Sequence, residues 1–73
     1  MSERLGEAAR TARMEAGLAL IDIANRAGVS QSAVHRFETE GGWPHRLDEI
    51  VEAYEHECGL AKDELWRRAV EAR

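Results

Sequence analysis

The stretch "AGVSQSAVHRFE", Ala27–Glu38, decides how this chain is read. A glycine, an apolar residue and a hydroxyl separate two short helical patterns. Beyond the hydroxyl, Ala33, Val34 and Phe37 recur at the spacing of one helix face. Gln31, Ser32, His35 and Arg36 are left on the opposite face. The question is whether this second helix only packs or is built for insertion into a partner.

The flanking segments answer part of it. The preceding helix is short, from Leu20 to Arg26 or Ala27, with Ile23, Ala24 and Ala27 facing inward. Gly28 ends it, Val29 follows as a buried turn residue, and Ser30 caps the next helix, which runs to about Glu38. Upstream, a first helix begins after Ser2 and stops near Gly17, with Leu5, Ala8, Ala9 and Ala12 on one stripe. Downstream, "TEGGW" is turn-rich and Pro44 forbids helix. A fourth helix runs from about Arg46 to Glu57, burying Leu47, Ile50, Val51 and Tyr54, with the tyrosine hydroxyl at the rim. Gly59 ends it, and a fifth helix spans about Lys62 to Ala72. Trp43 is expected to pack under its loop. No internal repeat, low-complexity tract or linker is present. The expected fold is all-α, a compact five-helix bundle in one domain over residues 1–73.

Composition agrees with that expectation. Seventy-three residues allow one domain. A chain of this size buries only about 60% of its unfolded surface, so its core is small. Strand formers are sparse while Ala, Glu, Arg and Leu dominate. A single cysteine, Cys58, excludes an internal disulfide. No run approaches the roughly 20 apolar residues of a membrane span. The charged start "MSERLGEAAR" is unlike a signal peptide, and a cytoplasmic protein without membrane contact is expected.

The net charge of −4 is unevenly distributed. Residues 1–46 hold six arginines against six acids, whereas residues 47–73 hold four cations against eight acids. A surface that meets phosphate therefore belongs to the first two thirds. The acids Asp48, Glu49, Glu52 and Glu55 read as a solvated helix face. His56 and Cys58, two apart, point to different sides of a helix and have no second ligand pair. No metal, cofactor or enzymatic activity is expected, since neither a phosphate loop nor a nucleophile–base pair stands out.

Two short helices joined by a glycine turn fit the helix-turn-helix, whose second helix lies in the DNA major groove. The outward residues suit base edges: Gln pairs with adenine, Arg with guanine, and Ser with several bases. The start of that helix offers backbone N–H groups and a positive dipole end to phosphate, with Ser30 beside them.

At this point "RTARMEAGLALIDIANRAGVSQSAVHRFETE" resembles the Xre/Cro-like family of phage repressor and small bacterial regulator domains. The similarity rests on Arg13, Gly17, Ile23-Ala24, Gly28-Val29-Ser30 and Phe37-Glu38. "WPHRLDEIVEAYEHECGL" resembles the family's fourth helix. The resemblance implies a lambda-repressor-like bundle with base contacts from Gln31, Ser32 and Arg36, and His35 on the same face. It also implies phosphate contacts from Thr39, His45 and Arg46, and a structural ion pair between Arg13 and Glu38. A homodimer on a palindromic operator is the expected assembly, acting as a repressor. Leu65, Trp66, Ala69 and Val70 would form the interface, although Trp66 with its neighbours could equally serve as core. The sequence departs from the family at Ala19 and Leu20, where a helix cap and a phosphate-clamping Gln are usual, and at Glu40, where cations are commoner. Leu20 and Ile21 then look solvent-facing. That leaves a second reading, a protein-interaction module of antitoxin or adaptor kind docking through Leu20 and Ile21, with DNA secondary.

Overall fold

The apolar stripes and glycine stops produce five helices and no strand among the described residues of the computed structural model. It describes residues 2–40 and 45–71, without the side chains of residues 2–4. In chain order they are α1 (Ser2–Glu15), α2 (Leu20–Ala27), α3 (Gln31–Glu40), α4 (Leu47–Cys58) and α5 (Glu64–Glu71). The side chain of the expected cap Ser2 is not described, and the packing of Trp43, the break at Pro44 and an end at Ala72 lie outside the described residues. None of the helices is long and apolar enough to cross a membrane.

Each helix contributes one face to a single core. Leu5, Ala9 and Ala12 enter from α1, Ile23, Ala24 and Ala27 from α2, and Val34 and Phe37 from α3. Helix α4 adds Leu47, Ile50, Val51, Ala53 and Tyr54, and α5 adds Leu65 and Ala69. At the centre the Phe37 and Tyr54 rings lie 5.9 Å apart and tilted by 43°, an aromatic contact worth more than its area alone.

Glycine stops α2 and α4. Gly28 and Gly59 take φ of 74° and 70°, and their amides return to Ala24 and Glu55 carbonyls of the helices they end. A side chain at either position would be strained. Helix α5 starts two residues later than the sequence suggests. Asp63 sits at φ 67°, and the Glu64 carboxylate accepts the Ala61 N–H at 3.0 Å. These turn contacts, with the Asp63 N–H donating to Glu55 at 2.7 Å, occupy the segment expected to begin the helix.

Three exposures differ from expectation. Leu20 is half-buried and packs against the core, leaving only Ile21 exposed. The reason is helical spacing: Leu20 lies three and four residues before Ile23 and Ala24, on their face. On α5, Leu65 and Ala69 belong to the domain's own core, Trp66 is half-buried, and Val70 is 59% exposed. Tyr54 is fully buried, hydroxyl included, with Phe37 of α3 against its ring and Glu38 of α3 at its hydroxyl.

Candidate nucleic-acid interface

The turn between α2 and α3 orients the candidate interface. After Gly28, the Val29 amide also returns to the Ala24 carbonyl at 3.0 Å. Ser30 then caps α3, its hydroxyl oxygen accepting the Ala33 N–H at 3.1 Å. Val34 and Phe37 anchor the helix in the core, and the buried Glu38 lies on that side as well. With these three fixed inward, Gln31, Ser32, His35 and Arg36 are exposed. Among the described residues no side-chain hydrogen bond or ion pair engages them. Four groups able to read bases thus share one open face, and the first α3 amides have no acceptor within the helix.

The residues expected at phosphate are placed less uniformly. His45 is exposed. Thr39 is exposed too, but its hydroxyl donates to the His35 carbonyl at 2.9 Å. Arg46 turns toward the helix-turn-helix: Nη1 donates to the Gly28 carbonyl at 2.9 Å and Nε lies 3.4 Å from a Glu49 oxygen. Ala19 has no side chain with which to cap α2. Its own N–H instead donates to the Asp22 carboxylate at 2.8 Å, which keeps one half of a capping box.

Behind the interface lies a buried polar network. Arg13 Nε and Nη2 donate to the two Glu38 carboxylate oxygens at 2.8 and 3.0 Å, a bidentate pair. Arg13 Nη1 donates to the Leu18 carbonyl at 2.8 Å, and the Tyr54 hydroxyl donates to Glu38 Oε2. The Glu38 side chain is only 2% exposed. The Glu38 carboxylate therefore joins α1 and α4 to α3, and Arg13 extends the network to the loop before α2. The sequence places Tyr54 in the core with its hydroxyl at the rim, and does not show the bond to Glu38. Its buried-face position on α4 was the signal, because an interior hydroxyl requires a partner.

This network has a consequence at high pH. Burial, and then its hydrogen bond to Glu38, hold the Tyr54 hydroxyl well above the ordinary phenol range. The unfolded chain loses that proton first, above about pH 10, so stability falls as pH rises beyond that point. The Cys58 thiol, pushed up mainly by burial, acts in the same direction from a lower pH. Urea unfolding at pH 9 and 11 should therefore show a smaller alkaline loss for Tyr54→Phe than for wild type, by at most about 1.4 kcal/mol per pH unit. Equal losses would place the hydroxyl in water.

A short α2, a glycine turn and a second helix with an open polar face define a helix-turn-helix, a DNA-binding unit. The comparison with known families agrees: residues 4–68 match the helix-turn-helix domain family. The chain belongs to that family. No curated protein and no solved structure matches it.

Proposed function

We propose that the chain is a sequence-specific regulator of the Xre/Cro-like kind that binds double-stranded DNA, acting as a repressor. The observation that carries this reading is the polar face of α3, where Gln31, Ser32, His35 and Arg36 stand exposed and make no side-chain hydrogen bond or ion pair among the described residues. In this reading Gln31 and Arg36 pair with adenine and guanine edges, and Ser32 and His35 complete the contact. Ser30 with the α3 amides, Thr39 and His45 meet phosphate. Two copies bind a palindrome with half-sites about 34 Å apart. Because Leu65 and Ala69 are used in the domain's own core, the face for pairing narrows to Val70 and the exposed part of the half-buried Trp66.

Random-site selection, followed by titration of the enriched duplex, tests the reading. Arg36→Ala should weaken binding to that duplex by about 1–3 kcal/mol and relax preference at one position per half-site. Light scattering of the complex should give two chains per duplex. An unchanged operator and affinity would remove α3 as the reading helix. A salt-insensitive complex with another protein, in place of duplex binding, would favour docking through Ile21, which is 44% exposed.

A further inference from the structure

We infer that Arg46 is a positioning residue that sets the angle of the recognition helix, and that this is its role rather than that of a phosphate ligand. The inference rests on the DNA-binding reading of α3. Arg46 stands immediately before α4, and its carbonyl accepts the Ile50 N–H at 3.0 Å, so its backbone belongs to the first turn of that helix. Its side chain reaches back across 18 positions to the Gly28 carbonyl at 2.9 Å. The guanidinium occupies the space over the turn: a Cβ at Gly28 would meet Nη1 at 3.5 Å and Nη2 at 3.7 Å.

The chemistry suits a strut at the surface, where the Arg46 side chain is half exposed. Gly28 O lies at the C-terminal end of α2, where helix carbonyls lack partners and a cation is favoured. Nε is steadied by Glu49, one turn into α4, at 3.4 Å. Two donors of one rigid fork are therefore spoken for, one on each helix. Lysine, a single point charge on a flexible stem, cannot hold both. Gly28 is only two residues from the Ser30 cap, so any rotation at the turn is carried into Gln31 and Ser32 at the start of α3. By contrast, a phosphate ligand needs only the charge.

Substitutions that separate charge from geometry test this. Arg46→Lys keeps the charge and loses the fork, whereas Arg46→Ala loses both. The probes are the duplex enriched by wild type and an unrelated duplex of equal length. Both variants should bind the enriched duplex about tenfold more weakly, the loss expected for a charge-assisted hydrogen bond. Arg46→Lys should bind the unrelated duplex as wild type does, with the same salt dependence. In the free protein, the Ala33 and Val34 amides, which donate to Ser30, should exchange faster in both variants. Wild-type affinity for Arg46→Lys, with a salt slope reduced by about 0.9 in Arg46→Ala, would make Arg46 a phosphate ligand and overturn the inference. If selection with wild type enriches no duplex, the DNA reading fails separately, and exchange still decides. Unchanged Ala33 and Val34 protection in Arg46→Lys overturns the positioning role; faster exchange sustains it.

Discussion

Glu38→Leu is expected to destabilise the fold by about 3–5 kcal/mol, the cost of stranding one half of a buried pair. The change removes both acceptors of the Arg13 guanidinium, which is left with the Leu18 carbonyl alone. It also leaves the buried Tyr54 hydroxyl without its acceptor. A domain of this size has little reserve, since stabilities run to about 5–15 kcal/mol overall. Each lost kcal/mol lowers the melting temperature by about 4–8 °C in a domain of this size. Arg13→Met with Glu38→Leu should recover much of the loss, because the double change leaves no charge unpaired. A thermodynamic cycle on urea unfolding measures that coupling. Small, additive effects would mean that the two groups are effectively solvated.

Gly6→Ala is the second large effect, and its sign is opposite to what helix propensity alone suggests. In an exposed helix interior alanine is better than glycine by about 1 kcal/mol. Here a Cβ would lie 2.3 Å from the Phe37 carbonyl oxygen and 3.3 Å from the Glu38 Cα. Both are backbone atoms of α3, so no side chain can rotate away. Helices α1 and α3 would have to separate, and that separation would also draw Arg13 away from Glu38. A loss of about 1–3 kcal/mol is expected, as for other overpacked interiors. A melting temperature at or above wild type would contradict the close crossing of the two helices.

Much of this protein can be read from local pattern. The five helices, the stops at Gly28 and Gly59, the Ser30 cap and the inward set Ile23, Ala24, Ala27, Val34 and Phe37 each depend on residues a few positions apart. Helical spacing and turn chemistry act over that range, so sequence determines them directly. The outward face of α3 follows by subtraction once its inward residues are known. Helical spacing also contains the placement of Leu20, which the absence of a cap at Ala19 obscured.

Tertiary structure decided which distant groups meet. Gly6 has meaning only because α1 crosses the backbone of α3. Tyr54 reaches Glu38 across 16 positions, and Arg13 reaches it across 25. Arg46 was legible as an exposed cation near a loop, but its contact with Gly28 required α4 to be packed against α2. Likewise, Leu65 and Ala69 became core while Val70 remained outside, a division set by how α5 lies on α1 and α4. These outcomes depend on helix packing and on the need to satisfy buried polar groups, and neither is encoded within one turn of the chain.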